Sequence, residues 1–84
     1  FIENKPKIHK FSPRGKHGRS DYVVLKLEEY EALRLVDFKG LRQINAARSM
    51  MISRQTFGRI LKRSRRCVSD ALINGKIIKI SKTL

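Results

Sequence analysis

The chain has 84 residues, of which 20 are Lys or Arg and 7 are Asp or Glu, so its formal net charge is +13. This length suits one domain with a thin core, since a domain of this size buries only about 60% of its unfolded surface. The sequence contains neither the roughly 18-residue apolar run of a membrane span nor a signal-peptide pattern. It begins at Phe1 rather than Met, so we expect further residues upstream.

The positive charge predicts a polyanionic partner, because neutralising phosphates releases condensed counterions. Nucleic acid is the leading candidate and an anionic membrane surface the second. We predict double-stranded DNA as the partner and no binding to a membrane. The charge is also uneven, since no acid occurs between Asp37 and Asp70. That window holds only basic charges: Lys39, Arg42, Arg48, Arg54, Arg59, Lys62, Arg63, Arg65 and Arg66. A solvated surface more often mixes the signs, so this half of the chain is the expected binding region.

The sequence offers few candidates for catalytic or metal-binding residues. The single cysteine, Cys67, cannot form an intrachain disulfide and favours a reducing cytoplasm. His9 and His17 have no partner at metal-ligand spacing, so we predict no metal and no other cofactor. The carboxylates Glu28, Glu29 and Glu31 sit beside no nucleophile and are interpreted as charges at the start of a helix. An enzyme is therefore not expected.

Residues 1–20 form a predicted basic N-terminal arm or loop without regular structure, because they hold both prolines and two glycines. Within it, Arg14 and Lys16 are expected to contact the DNA backbone, as basic arms of DNA-binding proteins do. The alternative is a terminus that its lysines merely keep soluble.

Residues 21–84 are predicted to be a mainly α domain: a three-helix helix-turn-helix core with a short strand before the first helix and one after the last. The β-branched segment Tyr22–Leu27 predicts the first strand. The first helix covers Glu28–Phe38, with an apolar stripe that includes Leu35 and Phe38, and Gly40 ends it with a positive φ. Lys76–Ile80 is the second strand, and the two strands pair either with each other or across a dimer.

The segment Gly40–Lys62 predicts two helices joined by a tight turn at Met51-Ile52. Ala46, Ala47 and Met50 would form the inner face of the first of these helices. Ser53 would cap the second, which continues to about Leu72 and ends near Asn74-Gly75. Its apolar face is predicted to comprise Phe57, Ile60, Leu61, Ser64, Val68, Ala71 and Leu72, and its outer face Gln55, Arg59, Lys62 and Arg66.

The start of the second helix is the expected base-reading segment, since arginine can bond guanine and glutamine adenine through two hydrogen bonds each. The predicted base readers are Ser53, Arg54, Gln55 and Arg59. The predicted backbone contacts on the helical domain are Arg42, Thr56, Lys62, Arg63, Arg65 and Arg66. Gly58 fits either tight helix packing or a close approach of the helix to DNA.

Several motifs resemble a family of small uncharacterised bacterial and archaeal proteins that are predicted to bind DNA. The matching segments are Phe11–Gly15, Glu29–Leu35, Gly40-Leu41 with Gln43, Ala46-Ala47, Ser53–Leu61, Asp70–Leu72 and Gly75-Lys76. The resemblance implies a helix-turn-helix similar to the promoter-reading region 4 of sigma-70 factors. This chain departs from it at Met51, where the family usually has glycine, and at Ile44 and Asn45, where it usually has acids. At Met51 we expect a distorted turn, because a non-glycine residue with positive φ is unfavourable.

The sequence thus predicts sequence-specific binding of double-stranded DNA by a transcription regulator. Two alternatives remain open: an RNA-binding protein, and an interaction module that contacts the transcription machinery. RNA binding fits the charge equally well, but the chain offers no platform of aromatic side chains on which bases could stack. A homodimer is expected from the small core and from the two half-sites that such proteins read.

Overall fold

The computed structural model describes residues 1–14 and 21–83. Within these ranges the helices are α1 (Leu27–Leu33), which continues as a π-helical segment (Arg34–Phe38), α2 (Gln43–Met50) and α3 (Arg54–Asn74). The strands are β1 (Lys10–Phe11), β2 (Tyr22–Leu25) and β3 (Ile77–Ile80). The predicted order of a strand, three helices and a second strand is confirmed, and the domain is mainly α.

The strands differ from the prediction in their number and in their ends, and β3 begins at Ile77 rather than at Lys76. In the described part of the chain they form one sheet of order β1-β3-β2, with β3 parallel to β2 and antiparallel to β1. The expectation of an N-terminal arm without regular structure is wrong at Lys10–Phe11, because these residues fill the second edge of β3 through a pair such as Phe11 with Ile78. The first strand also ends at Leu25 rather than Leu27, since Lys26 already caps α1.

The N-terminal segment packs against the helical part. Pro6 is buried, and Ile2 packs against both apolar clusters of the core. The division of the chain at residue 20 stays a prediction, but residues 1–14 contribute both a strand and core contacts to the body that follows.

The larger apolar cluster lies between α1, its π-helical continuation, α2 and α3. Phe57 at its centre is fully buried, and the inner face of α2 is as predicted, with Ala46, Ala47 and Met50 all buried. The two alanines matter because small side chains let the helices approach closely. Replacing a buried phenylalanine such as Phe57 by alanine typically costs about 3–5 kcal/mol.

The smaller cluster joins the sheet to the helices through Leu25, Leu27 and Ile80. Two residues assigned to apolar stripes are exposed instead of buried: Phe38 is 85% exposed and Leu72 is 74% exposed. Phe38 leaves the stripe because it lies in the π-helical segment, whose wider turn shifts the register of the side chains. Leu72 lies in the last turns of α3, away from the centre of its buried face.

Three helix ends use the left-handed conformation. Gly40 (φ 80°) and Gly75 (φ 67°) end their helices as predicted. Met51 ends α2 with φ 61° and ψ 41°. The N–H of Ile52 donates to the Ala47 carbonyl at 3.1 Å, which closes the turn in the manner usual for a glycine. The turn is therefore regular in shape, so the expectation of a distorted turn is wrong, and the strain is confined to the backbone of Met51.

One acid of α1, Glu31, lies beyond the first turn of the helix, whose acids are Glu28 and Glu29. Glu31 is fully buried and accepts hydrogen bonds from Arg34 Nε at 2.8 Å and from the Glu3 N–H at 3.0 Å. Burial by itself would raise the pKa of Glu31, but these hydrogen bonds outweigh it and the pKa lies below its ordinary value. The interpretation as a helix-start charge fits Glu29, whose carboxylate accepts from the Lys26 N–H at 2.9 Å.

Candidate nucleic-acid interface

The start of α3 is fixed by its cap. Ser53 Oγ accepts a hydrogen bond from the Thr56 N–H at 3.1 Å and donates one to Thr56 Oγ1 at 2.9 Å. The predicted cap is confirmed, and it engages the hydroxyls of two residues that were also predicted to contact DNA. Arg54 and Gln55 follow at once and are exposed. The first turn of α3 is thereby held in place while two of its side chains stay accessible.

The outward face of α3 carries a stripe of polar and basic side chains, Gln55, Arg59, Lys62 and Arg66. All four are exposed, whereas Phe57 and its neighbours on the opposite face are buried. No ion pair to these three basic side chains occurs within the part of the chain that the structure describes. We call these four residues the α3 stripe. Arg59 and Lys62 thus present positive charge without a carboxylate partner in the described ranges, whereas Arg66 lies within electrostatic range of Asp70.

Two other arginines of α3 are already paired with carboxylates. Arg65 Nη2 lies 2.8 Å from Asp37 Oδ1, and its hydrogen bonds hold the pKa of Asp37 below its usual range. Arg63 Nε lies 3.6 Å from a carboxylate oxygen of Glu29. Both arginines were predicted to contact the DNA backbone, and that role stays a prediction. Their side chains reach toward α1 and its π-helical continuation, so they differ physically from the α3 stripe.

A surface hollow of about 580 Å³ brings together Arg42 and Arg54 and also has Gln43 in its wall. Arg42 is the cap residue of α2, so the starts of α2 and α3 meet at this hollow. Gln43 was not among the site residues predicted from the sequence, although it lines this hollow. The signal available for it in the sequence was its position at the start of the second predicted helix.

Gly58 lies half-buried on α3 beside the same hollow. A Cβ added to it would meet Gln43 Oε1 at 3.8 Å, which is an ordinary van der Waals distance. Packing inside the protein therefore does not require glycine at this position. Of the two interpretations given above, tight helix packing loses its support.

The two predicted site residues of the N-terminal segment are Arg14 and Lys16. Arg14 is exposed at the end of the first described range, and Lys16 lies outside the described residues. Among the described residues, no three His, Cys, Asp or Glu side chains are grouped so as to hold a metal ion. Cys67 is half-buried with Sγ 3.5 Å from the Val24 carbonyl, and burial raises the pKa of its thiol.

The described helices also include none with the length and apolar character that crossing a bilayer requires.

The fold and this surface define a class: a small, mainly α, strongly basic domain with an exposed basic stripe on its longest helix. Comparison with known families places the chain more narrowly. A family model described as "Protein of unknown function DUF134" matches residues 1–83, and the chain belongs to this family.

Curated relatives carry the name UPF0251 protein. One from Caldicellulosiruptor bescii is 51% identical over 79 residues, which are 94% of this chain and 55% of the relative. One from Methanococcus vannielii is 52% identical over 81 residues, 95% of this chain and 62% of the relative. The chain thus spans little more than half the length of such relatives. No solved structure matches it.

Proposed function

We propose that this protein binds double-stranded DNA in a sequence-specific manner, with α2, the turn at Met51 and α3 acting as a helix-turn-helix, and that it regulates transcription. The observation that carries the proposal is the α3 stripe. Its basic side chains are exposed and unpaired in the described part of the chain, on a helix that α2 and α1 support from behind. A helix about 10–12 Å wide fits the major groove of B-DNA.

The proposed roles follow position along α3. Arg54, Gln55 and Arg59 are the base readers, because the N-terminal part of a recognition helix reaches base edges. Lys62 and Arg66 lie farther along the helix and contact phosphates, which adds affinity and salt dependence but no sequence information. The hydroxyl of Ser53 serves mainly as the cap of α3.

The experiment begins with selection of bound sequences from a random duplex pool. Arg54→Ala is then expected to relax the preference at one base position, at a cost of about 1–3 kcal/mol on the selected duplex. Lys62→Ala is expected to weaken binding to selected and random duplexes alike, and to reduce the salt slope by about 1. Lys82→Ala is the control, because it removes the same charge from an exposed site outside α3.

Equal losses on selected and random duplexes for both Arg54→Ala and Lys62→Ala would remove the assignment of base reading. Competition between duplex DNA and duplex RNA tests the RNA alternative, and a clear preference for RNA would overturn the proposal. A palindromic selected sequence would support a homodimer that reads two half-sites about one helical turn apart.

A further inference from the structure

An apolar groove runs between the N-terminal segment and the side of α1 that its π-helical continuation extends. Two adjoining hollows of about 570 Å³ each share Tyr30, Arg34 and Phe38 in their walls. Ile8 and Phe11 line the same surface and are 56% and 52% exposed. We call this surface the Phe38 groove. The volume of each hollow is in the range of pockets that bind small ligands or peptide side chains.

Phe38 is the least expected residue of this groove. It is 85% exposed, although fully burying a phenylalanine stabilises a protein by about 1.5–3 kcal/mol. The π-helical segment turns the ring away from the core that α1 shares with α3. Contiguous exposed apolar surface of this kind marks interaction sites in soluble proteins.

The acidic side chains beside the groove are paired with arginines, whereas its lysines have no carboxylate partner in the described ranges. Asp37 is occupied by Arg65 at 2.8 Å, and Glu3 is occupied by Arg34 at 2.7 Å. Lys5 and Lys7 also line the groove and are exposed, and no carboxylate pairs with them in the described ranges. The apolar hollows are thus bordered by uncompensated positive charge.

We propose that the Phe38 groove binds an acidic, amphipathic segment of another protein. Apolar side chains of that segment would occupy the hollows beside Phe38, and its carboxylates would meet Lys5 and Lys7. A second copy of this chain fits poorly, because each copy carries a net charge of +13 and like charges would face each other. A membrane fits less well than a peptide, because the surface is concave and offers room for inserted side chains.

The proposal goes beyond DNA binding and does not depend on it. The described residues that line the groove belong to the N-terminal segment and to α1 with its continuation, whereas the α3 stripe lies on a different helix. The Phe38 groove and the α3 stripe are therefore different surfaces of the protein. Such a protein would link a DNA site to a second protein.

The probe is a displayed library of random 12-residue peptides, selected on the full chain. Phe38→Ser protein is present in solution as competitor, because it keeps all the basic residues and removes peptides that bind charge alone. The expected survivors combine Asp or Glu with Leu or Phe at helical spacing. Their affinity is expected to fall about tenfold or more in Phe38→Ser, and to fall also in the double variant Lys5→Glu, Lys7→Glu.

Ile73→Ser is the matched control, because Ile73 is 82% exposed on α3 and does not line the groove. Its affinity for the selected peptides is expected to equal that of the parent chain. Since both substituted side chains are exposed, circular dichroism and thermal unfolding are expected to show folded variants.

Three outcomes would overturn the proposal. The first is that no acidic peptide survives competition with Phe38→Ser protein. The second is a monomer–dimer equilibrium in analytical ultracentrifugation that Phe38→Ser abolishes, which would assign the groove to a second copy. The third is co-sedimentation with vesicles of phosphatidylserine and phosphatidylcholine that is lost in Phe38→Ser, which would assign it to a membrane.

Discussion

Arg65 and Asp37 form a two-point contact, with Nη2 2.8 Å from Oδ1 and Nε 3.1 Å from Oδ2. The contact fastens the π-helical segment to the side of α3. The preceding residue, Ser64, donates from Oγ to the Glu29 carbonyl at 2.8 Å, and Arg63 approaches the carboxylate of the same glutamate. Three consecutive residues of α3 thus hold the first helix near both of its ends. A basic residue in the acid-free window can therefore serve the fold rather than a ligand.

Replacing Arg65 and Lys62 separately should distinguish these two uses of positive charge. Arg65→Ala is expected to lower the free energy of unfolding by up to about 1 kcal/mol, since the pair with Asp37 is half exposed. The loss should shrink at high salt, which screens such pairs. Lys62→Ala is expected to leave stability unchanged and to weaken DNA binding.

The measurements are denaturant unfolding at low and high salt and titration of a duplex at one salt concentration. Asp37→Ala is the matched control, because it breaks the same pair from the acidic side. If Arg65→Ala weakens DNA binding as strongly as Lys62→Ala, Arg65 contacts DNA and the distinction is wrong.

Gly58→Ala should separate the needs of the fold from those of the ligand. The added Cβ has an ordinary contact distance to Gln43, and alanine is favoured over glycine in a helix interior by about 1 kcal/mol. The variant is therefore expected to be more stable by roughly that amount. If α3 enters the major groove as proposed, the new methyl group meets DNA and binding weakens several-fold.

Thermal unfolding and duplex titration of Gly58→Ala give the two readouts, with the exposed Ser69→Ala as a control farther along α3. A more stable variant that binds DNA as well as the parent chain would show that the helix does not approach DNA at Gly58. A less stable variant would restore the packing interpretation.

Local signals predicted the parts of the fold that depend on neighbouring residues. The cap at Ser53, the end of α3 at Gly75 and the buried face around Ala46 follow from capping chemistry and helical periodicity, which act over one or two turns. These are the features that the structure confirms. The base-reading role of Arg54 has the same local origin and stays a prediction.

Partners that are distant in sequence escaped prediction. The pairing of Phe11 with Ile78 joins segments that no local pattern connects. The same holds for Arg65 and Asp37, which lie 28 positions apart. Phe38 was misplaced because a change from α- to π-helical geometry depends on how the whole segment packs.

Met51→Gly is expected to stabilise the protein. Met51 has φ 61° and its side chain is 81% exposed, so removing it relieves backbone strain and loses little packing. A left-handed conformation costs an L-residue about 1–2 kcal/mol, which glycine avoids. Glycine also has more freedom in the unfolded chain, and this offsets about 0.4–1 kcal/mol of the stabilisation. The net gain in unfolding free energy should lie between about 0 and 1.6 kcal/mol.

Gly40→Ala is the reverse control for Met51→Gly, because it introduces a side chain at a left-handed position. Gly40 has φ 80°, and a Cβ there would meet no atom within 4 Å. It should lose about 1 kcal/mol through the backbone alone. Midpoints of urea unfolding with an unchanged slope check both values. A destabilised Met51→Gly would mean that the methionine side chain makes a stabilising contact.

Glu31→Gln should reveal how the buried acid supports the fold. Glu31 is fully buried and bonded to Arg34 and to the Glu3 N–H, so the neutral amide leaves the guanidinium poorly paired. We expect a loss of about 3–5 kcal/mol near neutral pH, as for other buried pairs that lose one partner. Glu3→Gln, which alters the half-exposed partner of Arg34, should cost less than about 1 kcal/mol.

The pH dependence of Glu31→Gln has a defined sign. Because the folded-state pKa of Glu31 is lowered, its carboxylate contributes stability that is complete above the unfolded pKa of about 4.3. That contribution is lost as the pH falls through the lower, folded-state value. The difference in unfolding free energy between the parent chain and Glu31→Gln should therefore be constant at neutral pH and shrink below about pH 4.3. Urea unfolding across this range measures it, and a difference that does not change with pH would show that Glu31 is not the titrating group.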